Sequence, residues 1–230
     1  MRIVKILAAV TILLLFTVSE SRGQLGVRGG INLTNFIGSD SAGSEEIMGL
    51  SAGISFTLIR LGPVSITPEL YYAEKGARFS DQLRGLQDFD PESIDQDQPF
   101  DLEFNLAYLE LPVLLKIQLP FISTEVVKPF IGGGPVFAWR IDCDFKIDSG
   151  LESTVEECAN DNFPNLETTF NEADRGYAIN GGIDFVIPYL GTFTLDARYI
   201  RGLERVSASM ENSDIQNQSF SLMLGYTLMF

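Results

Sequence analysis

The chain has 230 residues, with 31 Asp and Glu against 16 Lys and Arg, a formal net charge of −15 and no histidine. That acidity excludes a nucleic-acid surface, which needs bases against phosphate, and the missing histidine excludes in-chain Ser-His-Asp or Cys-His catalysis and any His-held zinc or haem. A hydrophobic content of 45% with 17 Phe and 21 Gly is too apolar for an acidic disordered chain, so the charge must be unevenly placed.

Residues 1–23 read as a secretory signal peptide: Met1-Arg2-Ile3-Val4-Lys5, an apolar run from Ile6 to Val18, then small and polar residues to Ser21-Arg22-Gly23. The run is shorter than the ~20 residues a spanning helix needs. Cleavage after Gly23 removes Arg2, Lys5, Arg22 and Glu20, leaving residues 24–230 with 13 bases and 30 acids, net −17. No later apolar run is as long, so no transmembrane helix is expected in the mature chain. Export leads to an oxidising compartment, where Cys143 and Cys158 are expected to pair.

The mature chain alternates with period two, the signature of strands with two unlike faces. In chain order the apolar registers are Leu25 to Leu33, Leu50 to Leu58, Val64 to Tyr72, Leu109 to Ile117, Tyr177 to Ile187, Phe193 to Leu203 and Phe220 to Phe230. Phe130–Trp139, with Gly132-Gly133-Gly134-Pro135, is strand-like but has no clean polar face, so its register stays open. Counting it gives eight strands and no convincing helix. Connections alternate as well. Arg60–Pro63, Pro120 to about Val127 and Pro188–Gly191 are short turns, whereas 37–46, 81–100, 142–174 and 205–216 are long and polar. The pattern predicts an all-β fold: an eight-stranded antiparallel up-and-down transmembrane β-barrel, with short periplasmic turns, long extracellular loops and both termini on the periplasmic side. Closure satisfies every backbone group in lipid. Tyr72, Trp139, Tyr177, Tyr199, Tyr226 and Phe230 lie toward strand ends, as interfacial girdles do.

Alternation alone does not say which face looks inward. A soluble eight-stranded ligand-binding barrel would turn its apolar register inward and need a well-solvated exterior. Here the polar register is mostly Gly, Ser, Thr and Ala with sparse charges of both signs: Arg28, Lys116 and Arg198 against Glu69, Glu110, Asp184 and Asp196. That suits a narrow, filled lumen with a buried ion-pair network and no wide pore. The soluble barrel and a small-solute channel stand as alternatives.

Four stretches resemble the PorT-like outer-membrane β-barrel family, common in Bacteroidota: Gly26-Val27-Arg28-Gly29-Gly30-Ile31-Asn32, Pro68-Glu69-Leu70-Tyr71-Tyr72-Ala73-Glu74-Lys75-Gly76, Tyr108-Leu109-Glu110-Leu111-Pro112-Val113-Leu114-Leu115-Lys116 and Gly132-Gly133-Gly134-Pro135. The third is the most specific, and the resemblance covers essentially the whole mature chain. It implies outer-membrane location, surrounding outer-membrane lipid, and insertion by the barrel assembly machinery through a C-terminal aromatic strand carrying Tyr226 and Phe230. The named member of that family is linked to protein secretion, and the resemblance carries a fold further than a function.

The acidity gathers in two loops. Residues 81–103 hold eight acids with Arg84 the only base, and 142–174 hold ten with Lys146 the only base. Oxygen-rich pairs such as Asp88-x-Asp90 and Asp95-x-Asp97 can attract Ca²⁺ but lack the EF-hand glycine and spacing. The expected function is that of a non-enzymatic barrel, with no catalytic residue and no cofactor, whose acidic extracellular loops meet a protein partner or support the envelope. Outer-membrane proteases and lipid A acylation enzymes use histidine, which is absent. A carboxylate-only hydrolase would need an acid–base pair, and none stands out.

Overall fold

The computed structural model describes residues 24–38, 41, 43–80, 101–148, 153–158, 171–206 and 215–229. The expected signal peptide, the Asp88 to Asp97 cluster and Phe230 lie outside the described residues. Eight long strands form the wall: β1 (Gln24–Ile37), β2 (Ile47–Thr57), β3 (Val64–Ser80), β4 (Asp101–Gln118), β5 (Val127–Asp148), β6 (Ala173–Ile187), β7 (Gly191–Gly202) and β8 (Gln216–Met229). Each pairs antiparallel with its chain neighbours. The barrel closes where β1 meets β8, from Gln24↔Met229 to Ile37↔Gln216. Short pieces extend the hairpins: Ser44–Glu45 and Ile59–Leu61 against β3, and Ser153–Glu157 against β5.

The turns are tight for identifiable reasons. Leu61↔Val64 closes the β2–β3 connection, with Gly62 at φ 59°, a left-handed geometry that glycine adopts without a Cβ clash. The β6–β7 turn places Tyr189 at φ 66° before Gly191. A single 3₁₀ turn, Pro120–Ile122, sits between β4 and β5.

The two faces separate as lipid and lumen would require. On β1, Val27, Ile31 and Leu33 point outward and are exposed, whereas Arg28, Asn32 and Thr34 point inward and are buried. On β8, Phe220, Leu222 and Leu224 face out, and Asn217, Ser219, Ser221 and Met223 face in. This is the reverse of a soluble ligand-binding barrel.

Three strands run further than the alternation indicated. β3 continues eight residues past Tyr72. Asp101 and Glu103, read as loop acids, lie on β4, and β5 carries on to Asp148 and folds back through Ser153–Glu157. The expected 142–174 loop therefore contains a β-hairpin. At 18 residues, β4 rises roughly 45 Å at ~3.4 Å per residue and a tilt near 40°, well beyond the ~25 Å apolar band.

Its polarity explains the excess. From the periplasmic end, the outward face of β4 reads Ile117, Leu115, Val113, Leu111, Leu109, then Ala107, Asn105, Glu103, Asp101. The inward face reads Lys116, Leu114, Pro112, Glu110, Tyr108, then Leu106, Phe104, Leu102, all buried. The faces exchange character at the row Tyr72↔Leu109↔Trp139. Below that row the barrel is apolar outside and polar inside; above it the barrel is built like a water-soluble β protein. The upper part encloses a core of Phe36, Ala77, Leu102, Phe104, Leu106 and Phe145, among others.

The open register of the fifth strand is settled by its partners. Phe130 pairs with Gln118 and Trp139 with Leu109, after which the register shifts between Ala107 and Tyr108. Ile141 is the extra residue, and it is exposed. This bulge changes parity. Below it Phe130, Val136 and Ala138 point inward; above it Cys143 and Phe145 do. Without the bulge Asp142 and Asp144 would enter the apolar core.

Candidate functional site

All seven charged residues assigned to the polar register, Arg28, Glu69, Glu110, Lys116, Asp184, Asp196 and Arg198, face the lumen and are buried. They form three separate groups stacked along the barrel rather than one network.

The middle group is a ring of alternating charge. Arg28 Nη1, from β1, lies 3.1 Å from Glu69 Oε1 on β3 and 3.2 Å from Asp196 Oδ2 on β7. Arg198 Nη1, also on β7, lies 2.7 Å from Glu69 Oε2, and its Nη2 is 3.6 Å from Asp196 Oδ2. Asn180 on β6 donates to Asp196 Oδ2 at 2.7 Å, and the Arg198 guanidinium stands 5.3 Å from the centroid of the Tyr71 ring. Two cations and two anions cancel, which is the condition under which buried charge is tolerated.

Toward the periplasm, Lys116 Nζ donates to Asp184 Oδ2 at 2.6 Å, and Thr194 Oγ1 donates to Asp184 Oδ1 at 2.8 Å. Lys116 Nζ lies 3.7 Å over the Phe130 ring, a cation–π contact. Toward the outside, Glu110 pairs with Lys75, not with Lys116, at 2.5 Å. Asn217 donates to Tyr108 Oη at 3.3 Å and to Asp174 Oδ2 at 3.4 Å.

Two of these residues escaped the sequence reading. Lys75 continues the inward parity of Glu69, Tyr71 and Ala73, so extending the β3 alternation two steps would have found it. With Lys75, the three groups hold four bases and four acids. Asp174, counted as a loop acid, lies in the first pair of residues of β6 and is buried at 8% exposure.

Cys143 and Cys158 form a disulfide with Cα atoms 5.4 Å apart. Both are buried in the upper apolar core, and Cys158 N donates to Cys143 O at 2.9 Å, so the bond stitches the membrane-proximal end of Ser153–Glu157 to β5. On the outer surface of this hairpin, Asp144 stands opposite Glu157. Partial burial, and then the charges of Asp142 and Glu157, push the Asp144 carboxyl above the ordinary carboxylate range. Among the described residues no group of three or more His, Cys, Asp or Glu is placed to hold a metal ion. At the other end, the Tyr226 hydroxyl donates to Leu190 O, and its ring lies 5.0 Å from that of Phe193.

The middle of the lumen is occupied by the side chains of the three charged groups. Every carboxylate of the three groups is paired with a base, and the upper apolar core stands above them.

The profile of a protein family described as outer membrane protein beta-barrel domain matches residues 18–207. No curated protein matches the chain in sequence. Among solved structures, the chain is similar to Neisserial surface protein A at 13% identity, covering 90% of this chain and 97% of that one, with a TM-score of 0.42. It is similar to Ail, the attachment invasion locus protein of Yersinia pestis, at 13% identity, covering 90% and 100%, with a TM-score of 0.41. It is also similar to the outer membrane protein OprG from Pseudomonas aeruginosa, at 12% identity, covering 90% and 97%, with a TM-score of 0.41.

Proposed function

Because the chain belongs to the outer membrane protein beta-barrel domain family and so resides in the outer membrane, we propose that it is a closed, non-enzymatic barrel that works through its extracellular crown. The crown is the upper part of β3, β4 and β5 with the Ser153–Glu157 hairpin, rich in acids outside and apolar within. In this reading the membrane-spanning wall is a rigid mount, and the crown meets a protein partner or supports the envelope. A link to protein secretion, and membership of the PorT-like branch, belong to the same proposal. So does insertion by the assembly machinery through the strand carrying Tyr226 and Phe230.

One observation carries the reading. The lumen is blocked twice, by neutral ion-pair groups within the lipid zone and by an apolar core above them. A transport path would need neither. A crown held by a disulfide and a dedicated bulge implies that its outer shape matters, because ordered loops above a barrel are where recognition residues are placed.

Two measurements test this. Purified barrel in planar bilayers is expected to give no discrete conductance steps; regular steps would replace this reading with the channel. Cross-linking in intact cells from cysteines introduced at Thr154 and Glu157, in a background with Cys143 and Cys158 replaced by serine, is expected to capture a protein partner. Captured species that match those from a cysteine placed at the periplasmic Tyr189 would remove the crown from the proposal.

A further inference from the structure

The periplasmic end of the lumen is not filled like the rest. It opens into a cup of about 60 Å³, inside the mouth framed by the short turns. That is room for several waters, at roughly 10–15 Å³ each by this measure, or for one tetrahedral oxyanion in their place. Seven serine and threonine side chains line it, and its charged lining is Arg28, Arg60, Lys116, Lys128 and Asp184.

The charges do not cancel. Arg28 belongs to the neutral middle ring. Of the rest, Lys116 is committed to Asp184 at 2.6 Å. Among the described residues, Arg60 meets the neutral side chain of Gln24, at 3.2 Å, and no carboxylate. Lys128 stands directly opposite Asp184 in the β5–β6 register, yet Asp184 is already taken by Lys116 and Thr194, and no described carboxylate lies within ion-pair distance of Lys128. The cup thus has two cations in excess, inside a mature chain of net −17. A second observation points the same way. Arg28 is 8% exposed, and its Nε finds no acceptor although the side chain lines this cup. Like charges gathered beside an unsatisfied buried donor and a belt of hydroxyls, in a chain with abundant acids, form an arrangement completed by an anion.

We propose that the cup binds a phosphate group. A phosphate monoester or inorganic phosphate carries about −1.5 to −2 at neutral pH, which matches the excess of two, and its oxygens accept charge-assisted bonds from guanidinium and ammonium while taking hydroxyl donors. Two sources can supply the phosphate oxygens: free phosphate in the periplasm, which matches both charges, and the phosphodiester headgroup of an anionic phospholipid in the leaflet level with the mouth, which carries one charge and leaves one base to water. Phe121 and Tyr189, exposed on the bounding turns, put aromatic rings where that leaflet's headgroups lie. The inference goes beyond the crown reading and takes from it only the orientation of the barrel.

The test uses the full mature chain in a neutral detergent, at constant ionic strength. Binding of inorganic phosphate is followed by ³¹P NMR and by the shift of the thermal unfolding midpoint, which rises when a ligand binds only the folded state. Arg60→Gln and Lys128→Gln are each expected to weaken phosphate about tenfold, the factor that ~1.4 kcal/mol of lost interaction gives. Neither side chain is in an ion pair among the described residues, so both variants should keep wild-type heat-modifiable migration. Arg78→Gln, on the opposite end, should leave binding unchanged. Doping the micelles with phosphatidylglycerol separates the sources: stabilisation by that lipid but not by inorganic phosphate, lost in Lys128→Gln, assigns the headgroup. The proposal is overturned if neither phosphate nor phosphatidylglycerol stabilises the wild type at millimolar concentration, or if both variants bind as tightly as the wild type.

Discussion

Lys75 shows what a single inward charge does in this wall. Its ammonium meets Glu110 at 2.5 Å, and both side chains are 3% exposed. Replacing Lys75 by Met leaves a carboxylate buried without its counter-charge, an effect of about 3–5 kcal/mol. The expected outcome is a lowered thermal midpoint in micelles, partly restored by the double change with Glu110→Gln; an unchanged midpoint would show that the pair is solvated. Glu110 was legible in the sequence as a lumen charge and Lys75 was reachable by parity, but their pairing was not, because parity gives a face and not the neighbour met on it. The outer surface behaves oppositely. Asp144 is held above its ordinary range by partial burial and by Asp142 and Glu157, so the folded crown binds its proton more readily than the unfolded chain does. Stability therefore falls as pH rises through that range, and acid restores it. Asp144→Asn is expected to raise the midpoint at pH 7 and to make no difference at about pH 3, below both the folded and the unfolded value; a stabilisation that persists at low pH would rule out relief of charge.

At the scale of the element, β5 is the strand whose sequence said least. Gly132-Gly133-Gly134-Pro135 puts small residues on both faces, so period two has nothing to contrast. Ile141 then breaks parity, which no fixed-period count survives. The crown strands were illegible for a related reason. Alternation continues past Tyr72 and above Leu109, but the apolar register moves to the other face, and a reader following one register sees it stop. The four-residue turns were plain from their Gly and Pro, and β4 from Glu110 and Lys116 set against an unbroken apolar register. Deleting Ile141 offers a direct check. Without the extra residue, Asp142 and Asp144 should turn into the apolar core and Cys143 and Phe145 out of it. The expected result is a barrel that still inserts but whose cysteines react with a membrane-impermeant thiol reagent in intact cells; a disulfide as protected as in the wild type would mean that the bulge is not what sets the upper parity.

Over the whole molecule, charge is sorted by level. Acids crowd the crown, the lipid zone is balanced in three groups, and a surplus of bases stays at the periplasmic mouth. Composition could give the net value but not this order, because the order depends on which strands outgrow the bilayer. Strand number, direction and closure were legible, since eight alternating segments joined by alternately short and long connections leave few other topologies in lipid. The height at which lipid ends was not, because the alternation gives a face and not a depth.

The exchange of faces at the Tyr72–Leu109–Trp139 row works like a waterline on a hull. Raising the barrel by one pair of residues would lift Leu109 and Trp139 out of hydrocarbon, and lowering it would drag Glu74 in. Both displacements are opposed, so the molecule has a fixed draught. A bilayer of another thickness must deform around it or force it to tilt, each at a modest cost per ångström. The same pattern that lets the crown fold in water also ties the barrel to membranes of one particular depth.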